Sequence, residues 1–255
     1  MLAAAFYFAF IFEVQLRIVN VVADGRELVR KDPKNPSLND TFYETHKTSI
    51  HLHVLGPDEK CQFHFHRGNE EATLIAQGVA HVTTRFGKDG QIGQTEDVYP
   101  EGTLVQLPRS CGHEWHNVTP GTFHTNLVFS RPEFTFNDFI AKTDPRLLES
   151  PAPSMVNLHD RLKAFVATGK SFEDTPLPIF GGAMRALLFR ESYTVHAEGS
   201  EPVSITMVSG EADIMEPRKA HLIPYDLAMI THGNGARLVA PGGPVAALLL
   251  YPERS

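Results

Sequence analysis

Apolar and polar residues alternate with a period of two along most of this chain, the repeat of a β-strand with one buried face. Residues 48–55 set His51 and His53 on one face and Ile50, Leu52 and Val54 on the other. Further strands are predicted over 80–86, 104–107 and within 119–130, with turns at 56–60 and 87–93 where Gly, Pro and Asp gather. Nearer the N-terminus, residues 14–22 are β-branched and strand-like, Asp24-Gly25 reads as a turn, and 31–39 has the composition of a surface loop.

The alternation lapses in the middle of the chain. Residues 134–140 lose it, and Leu158, Leu162, Phe165 and Val166 follow helical spacing, with Asn157 placed to cap the helix and Gly169 to stop it. Pro151, Pro153, Pro176 and Pro178 bracket that segment. From Gly181 the strand pattern returns over 184–189, 194–196, 203–208, 212–215, 221–223, 227–230, 237–240 and 245–250. An all-β protein follows, organised as residues 1–132, a helical linker at 133–178 and a second β unit at 179–255.

The candidate chemistry lies between Cys61 and Asn117. In an extended strand His64 and His66 leave the same face, close enough to share one ion. Arg67-Gly68-Asn69 can turn the chain so that Glu71 comes back beside them, and a further strand pair would return His113. Glu70, the competing carboxylate, has the opposite parity. Three nitrogens and one oxygen suit a borderline divalent transition metal and disfavour calcium, which takes all-oxygen sets. By the same parity Gln62, Thr73, Trp115 and Asn117 should face inward and His116 outward, while His51 and His53 point either into that cavity or to solvent.

These residues carry a family resemblance. His64, His66, Glu71 and Gly78 match the spacing of the first cupin motif, and Gly102, Pro108, His113 and Asn117 match the second. Two positions depart from it: Asp58 stands where the first motif opens with glycine, and Ser110 stands where the second has one two residues after its proline. The resemblance implies a double-stranded β-helix, or jelly roll, and with the second half two tandem barrels. Aligning Gly210 with Gly78 puts His196, Glu198 and Val203 at the first three ligand positions. Aligning Tyr225 with Gly102 puts Ala236 at the fourth, so the second barrel is expected to be degenerate.

By the same resemblance the metal ligands are His64, His66, Glu71 and His113, and the cofactor is one divalent transition metal, Fe(II) first, with Mn, Ni, Cu or Zn as alternatives. Four protein ligands leave two octahedral positions for substrate or oxygen. The implied function is a dioxygenase-type enzyme acting on a small organic acid or phenol. The alternatives are a non-catalytic small-molecule or metal-binding bicupin and a metal-dependent isomerase, decarboxylase or lyase. Arg67, Arg85 and Arg109 are candidates for holding a substrate carboxylate, and Gln62 and His124 for donor and base. In the predicted catalytic set we place His124, Gln62 and Arg109.

Composition narrows the partners. At 255 residues the chain can bury a substantial core, and its net charge of −7, with 23 scattered Lys and Arg, speaks against nucleic acid. Six of the 13 histidines fall between Cys61 and His124. Cys61 and Cys111 flank the two motifs and are expected as pocket thiols or a disulfide; there is no disulfide framework, and a cytoplasmic location is expected. The apolar stretch 1–12 is too short to span a bilayer and lacks a signal peptide's order, so we expect no membrane partner. We expect it to be an extra strand or short helix covering a barrel, with a homodimer interface as its natural place.

Overall fold

The computed structural model describes residues 15–132, 137–196, 201–216, 218–231 and 235–252. The apolar N-terminal stretch, Phe134 and Glu198 lie outside the described residues. In chain order the first half holds β1 (Gln15–Asn20), α1 (Val21–Lys31), β2 (Ser37–Glu44), β3 (Ser49–Leu55), β4 (Lys60–Phe65), β5 (Glu70–Gln77), β6 (Val79–Lys88), β7 (Gln91–Pro100), β8 (Thr103–Leu107), β9 (Gly112–Asn117) and β10 (His124–Arg131). There follow β11 (Asp138–Phe139), β12 (Ser154–Asn157), α2 (Leu158–Thr168), β13 (Phe172–Pro176), β14 (Met184–Phe189), β15 (Ser192–Val195), β16 (Val203–Ser209), β17 (Ala212–Glu216), β18 (Ala220–Leu222), β19 (Asp226–Thr231), β20 (Ala236–Val239) and β21 (Val245–Leu250).

The strands form four antiparallel sheets. A five-stranded sheet runs β11-β4-β9-β6-β7 and a six-stranded sheet β12-β8-β5-β10-β3-β2; a second six-stranded sheet runs β1-β19-β16-β21-β14-β13 and a four-stranded sheet β15-β20-β17-β18. They stack in that order, because three separate cores lie between them. Leu55, Ile75, Val82, Val105 and Trp115 fill the space between the first and second sheets. Leu52, Leu74, Leu127 and Phe129 of the second meet Met184, Leu188, Leu227 and Leu248 of the third. Leu187, Ile205 and Leu249 meet Ile214 and Leu238 between the third and fourth. Strands β14 and β21 therefore bury both faces, which is why MRALLF and VAALLL read as continuous apolar runs and not as alternation.

Sheet membership crosses the expected boundaries at residues 132 and 178. Strand β1 pairs with β19 in the third sheet, whereas β12 pairs with β8 in the second. The two exchanged pieces match in detail. Asn20 caps α1 by accepting from the Ala23 N–H at 3.0 Å, and Asn157 caps α2 by accepting from the Asp160 N–H at 3.0 Å. The Val21 N–H donates to the Tyr225 carbonyl at 3.0 Å and the Leu158 N–H to the Gly102 carbonyl at 2.9 Å. Gly78 and Gly210 both have positive φ, at 91° and 76°, as do Gly102 at 80° and Tyr225 at 67°.

Two sequence expectations change. Asp24-Gly25 lies inside α1 and is not a turn. Gly25 is there for close packing, since a Cβ at that position would stand 3.1 Å from the Thr125 side chain of β10. Helix α2 runs from Leu158 to Thr168 with the Asn157 cap and a left-handed Gly169 at its end, as the pattern predicted, and Asp138–Phe139 is a two-residue strand where alternation had lapsed.

Candidate metal centre

The site sits between the first two sheets. His64 on β4 pairs directly with His113 on β9, and their ring centroids are 4.3 Å apart. His66 follows β4, and Glu71 projects from β5 of the facing sheet. One nitrogen from each of His64, His66 and His113 lies within 4.8 Å of the others, and all three residues are buried. Donors on one ion with ~2.1 Å bonds are at most roughly 4.2 Å apart, so a small inward movement of these side chains brings all three within reach of a single ion. Glu71 Oε2 is 3.1 Å from His66 Nε2, and Oε1 is 3.9 Å from His113 Nε2.

Backbone carbonyls set the tautomers. His64 Nδ1 is 2.7 Å from the Gln62 carbonyl and His113 Nδ1 is 3.0 Å from the Cys111 carbonyl. A carbonyl only accepts, so both Nδ1 atoms carry hydrogen and both Nε2 atoms offer a lone pair. This is the outer-shell arrangement that orients metal-binding imidazoles, and it makes the donor set fit a divalent transition metal. Burial lowers the His64 imidazole below its ordinary value and pushes His113 down to about 3, keeping both neutral at pH 7. Burial would raise the Glu71 carboxyl, but its hydrogen bond with His66 and the nearby imidazoles hold it well below the carboxylate range. Thr73 Oγ1 donates to Glu71 Oε1 at 2.9 Å.

Loops at the departures from the motif keep the shape that glycine would have given. Asp58 and Ser110 both have positive φ, at 59° and 63°. The Ser110 N–H donates to the His66 carbonyl at 3.0 Å, and Asp58 Oδ1 meets His116 Nε2 at 2.7 Å. Asn117 is a clamp: its Nδ2 lies 2.7 Å from the Gly56 carbonyl, 2.8 Å from that of Thr122 and 3.2 Å from that of Leu55, and its Oδ1 accepts from the Thr119 N–H.

A cavity of about 400 Å³ opens onto the cluster. Thr73 and Trp115 line it, as parity predicted, and His51 and His53 take the inward of their two expected directions. The predicted catalytic residues do not line it. Gln62 is exposed because the β4–β9 register shifts between Cys61 and His64, which breaks the period-two count and leaves only its carbonyl at the site. Arg109 is exposed in the loop before β9, and His124 is fully buried beside Trp115, with ring centroids 6.5 Å apart. Arg67 pairs with Asp138 at 3.2 Å and Arg85 with Glu96 at 3.7 Å. Among the described lining residues there is no Lys or Arg, and the carboxylates are Glu44 and Glu71. Cys61 and Cys111 are free, and burial pushes both thiols up to about 12. Sequence parity had not singled out Asn39 or Asn126, which reach the cavity from β2 and β10.

The second half offers no equivalent cluster among the described residues. Val203 and Ala236 are buried in the apolar core, and His196 is exposed. No described helix is long and apolar enough to cross a membrane.

No protein-family model matches the sequence, and no curated protein matches it. Solved structures do match. A cupin 2 conserved barrel domain protein from Leptotrichia buccalis is 12% identical with a TM-score of 0.63, over 93% of this chain and 96% of that one. Salicylate 1,2-dioxygenase from Pseudaminobacter salicylatoxidans is 12% identical with a TM-score of 0.67, over 92% and 84%. A variant of oxalate decarboxylase from Bacillus subtilis is 14% identical with a TM-score of 0.52, over 92% and 72%. The chain shares the fold of these barrel proteins, and its buried three-histidine cluster could coordinate a divalent metal.

Proposed function

We propose that the chain is a two-barrel cupin in which the first two sheets form a catalytic barrel and the last two a barrel that has lost its site. The matched caps, the paired positive-φ positions and the reciprocal exchange of β1 and β12 support two related units. The apolar surroundings of Val203 and Ala236 support the loss of the second site. In the first barrel His64, His66, Glu71 and His113 would hold one divalent transition metal, Fe(II) by preference.

The function we assign is a dioxygenase-type reaction on a small organic acid or phenol. The observation that carries it is the cavity of about 400 Å³ meeting the histidine cluster on its open side, since a purely structural ion is more often closed off by its ligands. When bound, Fe(II) would supply Lewis acidity and redox chemistry. The chain's part is to hold two bare Nε2 atoms in place through the Gln62 and Cys111 carbonyls and to fix Glu71 with Thr73, with Trp115 forming part of the cavity wall.

Oxygen consumption tests the assignment. Protein prepared anaerobically with Fe(II) should take up oxygen when given a matching phenol or acid, the zinc form should not, and His113→Ala should stay inactive in excess iron. Conversion without oxygen and with several divalent metals would move the assignment to an isomerase, decarboxylase or lyase. Saturable binding with no product under any metal would leave a binding protein.

A further inference from the structure

Away from the metal cluster, the inner face of the second sheet presents an in-register row across three strands. Asn39 on β2 pairs with His53 on β3, which pairs with Asn126 on β10. All three line the cavity, and they grade inward from exposed Asn39 through partly buried His53 to Asn126, which is 1% exposed. Neither amide atom of Asn126 makes a hydrogen bond of good geometry within the protein. The adjacent His124 interacts with that amide without closing a well-formed bond.

A buried amide whose contacts are not well-formed bonds is costly, and a carboxamide needs a partner that both donates and accepts. A carboxylate only accepts and an ammonium only donates, so either would leave half of it unmet. A hydroxyl or an amide meets both. Away from the ion that Glu71 would share, the described lining residues include Glu44 and no Lys or Arg, so this end of the cavity has no side-chain cation to balance a substrate anion. Burial pushes the His53 imidazole down to about 3, so it too stands neutral, with Ser37 Oγ 3.3 Å from its Nε2.

We propose that the row of Asn39, His53 and Asn126 is a recognition subsite for an uncharged substrate, a phenol or other hydroxyl- or amide-bearing molecule, and that the cavity discriminates against organic acids. This rests on the metal reading above and narrows its substrate class to the neutral members.

The test is calorimetry on the full chain loaded with Zn(II), using matched probes: salicylamide against salicylate, and catechol against 3,4-dihydroxybenzoate. The neutral member of each pair should bind about tenfold more tightly, the worth of one well-made buried hydrogen bond or charge mismatch. Asn126→Leu should weaken the neutral probe about tenfold with metal content unchanged. Asn39→Arg, at the exposed rim where folding is not at stake, should shift preference towards the acid. Acids binding as tightly as their neutral partners, no neutral probe binding, or Asn126→Leu holding its affinity within about twofold would each overturn the subsite. Metal content measured on the same samples separates the failures. Full metal with a preference for acids removes only the subsite, whereas absent metal removes the function assigned above.

Discussion

Acidifying the metal-free protein should unfold it, with a slope set by histidines buried as neutral bases. His124 and His113 are 0% and 1% exposed, and burial pushes them from 6.5 down to about 4 and about 3. A base whose folded-state pKa is depressed takes up its proton first in the unfolded chain. Its contribution to stability is therefore complete above pH ~6.5 and is lost as pH falls towards the folded value. In that window each such group costs about 1.4 kcal/mol per pH unit, so the two together cost roughly 2.7. Two pH units would then remove about 5 kcal/mol, a large part of the 5–15 typical of a folded protein. Urea titrations of chelator-treated protein from pH 8 to pH 4.5 should show a plateau above about pH 7 and a steep fall below it. His124→Gln, which cannot protonate, should make the fall shallower by about 1.4 kcal/mol per unit whatever it does to the plateau. A flat profile down to pH 5, or an unchanged slope in the variant, would refute the reasoning.

Three further outcomes follow from the same contacts. Asn117→Ala should cost about 2–4 kcal/mol in chemical denaturation, because three loop carbonyls lose the amide that gathers them. Gly112→Ala should lower metal affinity about tenfold in competition with a chelator. Its Cβ would stand 2.5 Å from Phe63 Cζ and 2.7 Å from Leu147 Cδ2, so these buried side chains or β9 itself must give way beside His113. Val203→Ala should destabilise by roughly 1–3 kcal/mol while His196→Ala leaves metal stoichiometry unchanged; a metal equivalent lost with His196 would restore a second site.

The parts of the molecule legible in the sequence are those governed by local rules. Short apolar runs bounded by turn residues placed β14 and β21 at their observed bounds, and cap chemistry placed α2 between Asn157 and Gly169. His64, His66 and His113 converge because strand parity and turn positions are local consequences of residue type. What was hidden depends on contacts remote in sequence. Nothing in residues 15–20 says that their partner is 226–231, and Gly25 reads as a turn until Thr125 is seen against it. The irregular pairing of β4 with β9 turned Gln62 outward, since a bulge defeats parity without leaving a mark in composition. Arg109 lies outside the cavity lining for a simpler reason: a guanidinium suits a carboxylate wherever it sits, and this one sits in an exposed loop.

The metal centre itself is tested most directly by elemental analysis of purified protein and of the alanine variants of His64, His66, Glu71 and His113. Wild-type protein should carry about one transition metal per chain. His66→Ala and His113→Ala should lose most of it while circular dichroism still reports a folded β protein. Full metal content in all four single variants would contradict the site.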